Sequence, residues 1–339
     1  MPNHFLAAGV YGCVYYPGYT CKGEPMKRKQ WVSKLTYDNS VTRNEIEVGE
    51  RLKDLPGFII VERKCPIAYD SLTKMKKGCD LVTKKKKYVL LYSKYVASKE
   101  LYAYFKENPV FVRVFRCYYQ ICEMISTLIE HKVVHHDLHF ANILYSTETS
   151  NLLLIDFGLS FLADKMNNME YLKFVFSHYM PKWSWYPLEI HLLTYLLHEG
   201  ELTEMVLREA VDSYVDNHSV LQHFPDFRHI FREESIKYFT PWIGAPDAIE
   251  HFCSFWNTWD YYDIALRFLY MYAQNHVLYP AYRENLFEMI HPNPEKRPNS
   301  LKIRNNNKQA IQTFDLTQTT SVYRSIDMTL LSSHKRRLE

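Results

Sequence analysis

The stretch VVHHDLHFANIL, Val133 to Leu144, holds an aspartate and an asparagine five residues apart between two short apolar runs. Val133-Val134 and Ile143-Leu144 read as strand pieces, which places the polar residues between them on a short loop fixed at both ends. A loop of that kind can present reacting groups in a set geometry. The same Asp and Asn would also serve a plain hairpin as turn hydrogen-bonders, so the flanking sequence has to decide.

Upstream, residues 5–96 mix β-like runs (CVYYP, KQWVSKL, GFIIVE, KYVLLYSKYV) with one helical piece, TRNEIEVGERLKDL, and predict an antiparallel sheet with a single helix. From ELYAYF onward helical periodicity dominates. The longest candidate runs from Val110 to His131, with Val114, Tyr118, Ile121, Ile125 and Leu128 recurring every three or four residues. The expected class is therefore α+β, with a small β-rich lobe at 1–95 and a larger α-rich one at 96–300. After Leu301 the composition turns polar and predicts a weakly structured tail to residue 339. The lysine-rich stretch Lys74 to Tyr88 is read as a solvated loop between strands.

The chain has 339 residues, 47% of them hydrophobic, ample for a packed core. A net charge of +3 is too small to argue for nucleic acid. Seven cysteines without a CxxC pair support neither a disulfide framework nor a zinc site, so reduced thiols and an intracellular, cytoplasmic location are expected. Neither a signal layout nor an apolar run of about 18 residues is present, which predicts no membrane span.

Chemistry-bearing residues recur in order along the chain. Gly9 and Gly12 form a glycine turn between β-like runs, where backbone N–H groups can approach phosphates and Val14 can cover a purine ring. Alternation in WVSKL puts Lys34 on the same strand face as Val32, beneath that turn. The lone helix offers Glu45, Glu47 and Glu50 to hold the lysine, and the distance from Glu45 to the following PGFIIV run favours Glu45, on a helix whose inner face meets the sheet. Asp137 is free to accept the proton of an attacking hydroxyl. Asn142 and Asp156, the latter in Asp156-Phe157-Gly158, are hard oxygen donors suited to magnesium.

Glycine turn, lysine, helix glutamate, Asp-x4-Asn and Asp-Phe-Gly in this order resemble the protein kinases. The resemblance extends over roughly residues 5–300: Glu189 in YPLE looks like the family's Ala-Pro-Glu position, Arg297 like its ion-pair partner, and Asp260 like the aspartate that opens a structural helix. It implies a bilobal kinase-like fold, Ser93 at the gatekeeper position with a roomy back pocket behind it, Tyr95 and Val96 meeting adenine, and Leu144 as the floor of the adenine site. It also implies ATP with Mg2+, or Mn2+ in its place, a serine/threonine protein kinase activity and protein substrates, with no specific nucleic acid. The compact arrangement, WVSKL and HHDLH together are most similar to the kinases of large cytoplasmic DNA viruses, for which a host cytoplasmic or virion location would follow.

Departures from the pattern matter. Ala7 stands where the family's first glycine falls. His136 replaces the arginine that receives an activating phosphate, and His139 stands where a lysine assists at the γ-phosphate. Residues 192–250 read as a helical insertion able to carry a partner. Two other readings stay open: a small-molecule kinase of the aminoglycoside or choline type, whose loops resemble HHDLHFAN, and a pseudokinase scaffold acting through the insertion and tail.

Overall fold

The computed structural model describes residues 4–9, 12–75, 79–83, 86–275 and 280–317. In chain order the elements are β1 (His4–Gly9), β2 (Gly12–Tyr16), β3 (Trp31–Tyr37), α1 (Ser40–Arg51), β4 (Arg63–Ile67), β5 (Tyr88–Lys94), β6 (Ser98–Glu100), α2 (Leu101–Glu107), α3 (Phe111–Glu130), β7 (Val133–Val134), β8 (Ile143–Ser146), β9 (Leu152–Leu154) and β10 (Phe161–Leu162). Eight helices follow: α4 (Met169–Val175), α5 (Leu188–His198), α6 (Glu204–Asn217), α7 (Pro225–Phe239), α8 (Ala248–Cys253), α9 (Trp256–Asn275), α10 (Pro280–Met289) and α11 (Ser300–Thr317). The chain forms two compact units, one reaching Glu100 and regaining Asn142–Phe161, the other made of Leu101–Ala141 and the chain from Leu162 onward.

The first unit is built on an antiparallel sheet in the order β1-β2-β3-β5-β4. Strand alternation sends Cys13, Tyr15, Ser33, Leu35, Leu90 and Tyr92 to one face, and Val14, Val32, Lys34 and Leu91 to the other. α1 starts at Asn39, whose side chain accepts the Thr42 N–H at 3.0 Å, a cap worth about 1 kcal/mol. A smaller sheet, β6-β8-β9, returns residues 143–154 to this unit, where the Leu154 N–H donates to Gly57 O.

The face bearing Cys13 and Tyr15 is covered. The loop at 17–30 and residues 67–75 and 79–83 lie on it, packing Tyr19, Met26, Leu72 and Met75 against Leu35, Leu90 and Tyr92. Two disulfides fasten this cover, Cys13–Cys79 and Cys21–Cys65, each with Cα atoms 5.9 Å apart. The expectation of seven reduced thiols is thus corrected: three cysteines, Cys117, Cys122 and Cys253, are free and buried. The ground for an intracellular location falls with it. The pairs are 66 and 44 residues apart in sequence, so no local spacing announces them; each joins a strand residue, Cys13 or Cys65, to a segment packed on the sheet.

In the second unit, α3 buries Phe111, Val114, Phe115, Tyr118, Ile121, Cys122, Ile125 and Leu128 along one stripe, as the periodicity predicts. Tyr118 and Phe115 pack edge-on against Tyr282 of α10, and Tyr118 against Phe268 of α9. Residues 192–250 are mainly helical, in α5 to α8. The expectation of a weakly structured tail from Leu301 is corrected over Ser300–Thr317, which forms α11, docked on α3 through Arg304, whose guanidinium donates to Glu123 at 2.8 and 3.1 Å. The rest of the expected tail lies outside the described residues. Among the described residues no helix is long and apolar enough to cross a membrane.

Candidate active site

In the first unit, Lys34 lies opposite Val14 on β2 and Leu91 on β5. Its ammonium donates to both oxygens of Glu45 on α1, at 3.0 and 3.1 Å, and to Asp156 Oδ1 at 2.8 Å. Burial opposes the charge on Lys34, but the Glu45 and Asp156 carboxylates together outweigh it and hold the lysine above its ordinary pKa. A charged ammonium is thus fixed on the sheet face that also carries half-buried Val14 and Val32. Glu45 is only 8% exposed, whereas Asp156 keeps 43% of its side chain open to solvent.

Two glycines shape this corner. A Cβ on Gly12 would meet Leu35 O at 2.9 Å and Lys34 Cγ at 3.0 Å; on Gly158 it would sit 3.3 Å from Asp156 Oδ1 and 3.6 Å from Lys34 Nζ. Asp156 itself adopts a left-handed φ of 61°, a conformation that costs a non-glycine residue free energy unless its surroundings fix it. Lys34 and the Asn142–Ile155 contact, where the Ile155 N–H donates to Asn142 O at 3.0 Å, supply that fixing. Gly9 has open space where a side chain would project; Val10 and Tyr11, between the two turn glycines, lie outside the described residues.

Backbone groups of Tyr95 and Val96 are the ones expected to meet adenine. The Tyr95 N–H donates to Gln30 O at 2.9 Å, and its ring stacks on Tyr16 with centroids 3.8 Å apart. Val96 O accepts from Ser98 Oγ at 3.0 Å. Ser93 lies opposite Val32 in the sheet, and Leu144 lies in β8 opposite Leu153.

The second unit carries Asp137 and His139. The Asp137 N–H donates to His135 Nδ1 at 3.3 Å, and His139 Nε2 stands 3.6 Å from Asp137 Oδ2. Burial alone would raise the Asp137 pKa, but the His139 ring, His135 and Arg267 outweigh it and hold the carboxylate below its usual range. A carboxylate that stays ionised is able to accept a proton through hydrogen-bond contact.

Sequence reasoning missed what holds this loop. His136 has a left-handed φ of 63°. Its N–H and that of His135 donate to the two oxygens of Asp260, at 2.9 and 2.8 Å. Its ring stacks on Tyr186, 4.1 Å away and 11° from parallel, and meets Phe176 edge-on. The Tyr186 hydroxyl closes the clamp by donating to His136 O at 2.9 Å. Nearby, Arg267 pairs with Asp263 at 2.9 Å and lies 3.7 Å over the Trp185 ring. The expected Glu189–Arg297 pair is present and sealed from water, with Arg297 forking onto both carboxylate oxygens while Trp259 Nε1 donates to Glu189 at 3.1 Å.

Fold and site together define a phosphotransferase of kinase type. Residues 5–182 match the family described as protein kinase domain, and the chain belongs to that family. Its fold is the bilobal α+β one. No match is found among curated proteins. The family match ends well before residue 300, to which the motif resemblance extends; Glu189, Asp260 and Arg297 stand beyond it.

Proposed function

We propose that the chain transfers the γ-phosphate of Mg-ATP to serine or threonine hydroxyls of protein substrates. The observation that carries this reading is the Lys34 ammonium held at 3.0 Å by Glu45 and at 2.8 Å by Asp156, a fixed cation with a half-exposed carboxylate beside it. The family generally works with ATP and a divalent metal. Asp156 and Asn142 fit such an ion: both are oxygen donors, both belong to the first unit, and magnesium takes few protein ligands. When bound, the ion neutralises charge on the phosphates.

The residues of the chain then divide the work. Lys34 orients the α- and β-phosphates, with Glu45 fixing the lysine. Val14, Val32, Val96 and Leu144 enclose the adenine, and the backbone at Gly9 and Gly12 covers the phosphates. Asp137 positions the hydroxyl and takes its proton, and His139 donates to the transferring phosphoryl group. Most of the rate enhancement comes from positioning and fixed charge. The serine/threonine preference follows the family likeness.

The test is transfer of labelled γ-phosphate to a mixed panel of acidic and basic proteins by the full chain, beside Asp137→Asn and Lys34→Met. Acid-stable label from the wild type, with both variants reduced by more than about 100-fold, supports the reading. ATP binding without protein labelling overturns it.

A further inference from the structure

Arg267, on α9, carries more donors than its one ion pair uses. Its Nε donates to Asp263 Oδ1 at 2.9 Å, one helical turn back, and its guanidinium lies 3.7 Å over the Trp185 ring. Tyr270, on the next turn of α9, meets Trp185 edge-on with centroids 6.4 Å apart. The arginine is thus fixed at one edge by a carboxylate and along one face by an indole. Its two terminal nitrogens have no hydrogen-bond partner among the described residues, and 17% of the side chain is open to solvent. Most of its N–H donors are therefore unused.

This cation belongs to the surroundings of Asp137. Trp185 precedes Tyr186, which stacks on His136 and donates to its carbonyl, in the peptide that leads into Asp137. Arg267 lies close enough for its charge to help keep the Asp137 carboxylate ionised, and the charge of Asp263 is felt by the same group. All of these residues lie in the second unit.

A structural role alone explains the pair poorly. Asp263 is only 6% exposed, and burial pushes its carboxyl up to about 6 even with Arg267 beside it, so the pair adds little to stability once desolvation is counted. A lysine would neutralise Asp263 equally well. What arginine adds is a flat fork matched to two oxygens of one anion, here held in one orientation in advance.

We propose that Arg267 is a specificity-determining residue that holds an anionic side chain of the acceptor protein, close in sequence to the hydroxyl that receives the phosphate. The inference rests on the phosphotransfer reading and deepens it. In that reading Lys34 and Asp156, which serve the phosphates of the nucleotide, belong to the first unit, whereas Arg267 accompanies Asp137, which serves the acceptor. An anion bound at Arg267 is therefore the acceptor's own. Carboxylate and phosphorylated side chains share the required pair of oxygens, and the experiment separates them.

The experiment is labelling of a Ser/Thr-centred peptide library by the full chain with Mg-ATP, placing Glu, Gln or phosphoserine at each position within about four residues of the acceptor. kcat/KM is then measured on the preferred anionic peptide and its Gln counterpart. The wild type should favour the anion at one or two positions by about tenfold or more. Arg267→Ala should bring the anionic-to-neutral ratio to within about twofold of unity, mainly by raising KM for the anionic peptide. Arg267→Lys keeps a charge against Asp263 and is gentler on folding; its ratio should fall by about threefold. Preference for Glu over Gln assigns an acidic sequence, and preference confined to phosphoserine assigns a previously phosphorylated one. A ratio unchanged in either variant, even with both rates lowered together, marks a purely structural role and overturns the proposal. Labelling by the wild type without regard to charge sinks this inference alone, whereas labelling of no peptide overturns the phosphotransfer reading and takes this inference with it.

Discussion

His136 lies flat against Tyr186, ring centroids 4.1 Å apart, and the Tyr186 hydroxyl donates to the His136 carbonyl. The peptide that leads into Asp137 is thereby held by an aromatic contact, where the family pattern has an arginine. Burial, with smaller contributions from neighbouring histidines, brings the His136 pKa down to about 3 despite the Asp137 charge, so the ring stacks as a neutral group.

Tyr186→Phe keeps the stack and removes one hydrogen bond, which should cost about 1 kcal/mol in urea unfolding. Tyr186→Leu loses the stack as well, a further 0.5–1.5 kcal/mol or so, and lets water reach His136. Its pKa then moves toward the ordinary value, and kcat should acquire a new acid limb between about pH 5 and 6.5 that Tyr186→Phe lacks. Superimposable pH profiles for the two variants would contradict the positioning role.

Acid stability follows from five buried groups of the second unit. His136 and His218 are brought down to about 3 and His191 to about 4, in each case mainly by burial. Below about pH 6.5 the unfolded chain protonates all three and the native state does not, so stability falls with pH. Burial pushes Asp260 up to about 7 and Asp263 up to about 6; the native state holds those protons, which opposes the loss. Near pH 5 the balance is about one proton in favour of the unfolded state, a decline of about 1.4 kcal/mol per pH unit. Urea titrations at pH 7, 6 and 5 measure it, and a flat response would refute the balance.

Removing Arg297 leaves Glu189 charged and buried. Arg297→Ala should destabilise by about 3–5 kcal/mol, and Glu189→Gln by less, because the amide still accepts from Trp259. Thermal melts of both variants distinguish the buried-charge penalty from simple loss of contacts.

The disulfides offer a redox prediction. Cys13 and Cys79 are 0% and 3% exposed, while Cys21 is exposed. A mild thiol reductant should open Cys21–Cys65 first. Loss of either bridge should cost the first unit about 2–4 kcal/mol, visible as earlier protease cleavage at 17–30 or 67–83. Identical digestion with and without reductant would count against it.

Gly158→Ala places a methyl group 3.3 Å from Asp156 Oδ1 and 3.6 Å from Lys34 Nζ. Labelling activity should fall by about tenfold or more while stability changes by under about 1 kcal/mol. Wild-type activity in that variant would show that the corner tolerates displacement.

Much of the site was legible because its signals are local or ordered along the chain. The three-to-four-residue recurrence of Val114, Tyr118, Ile121 and Ile125 specifies α3, and alternation in WVSKL places Lys34 beside Val32 on one strand face. The order of Lys34, Glu45, Asp137, Asn142 and Asp156 carries the family, since each needs only the right residue type at a workable spacing. Sequence by itself determined these features because helix and strand periodicities are properties of the backbone.

Only the tertiary structure decided the pairing of Cys13 with Cys79 and of Cys21 with Cys65, the engagement of the Tyr95 N–H by Gln30, and the His136–Tyr186 stack, which joins residues 50 apart in sequence. Such contacts depend on which strands adjoin and how loops cross them. That choice is made by the summed packing of the whole unit, to which no single stretch of sequence contributes a readable signal.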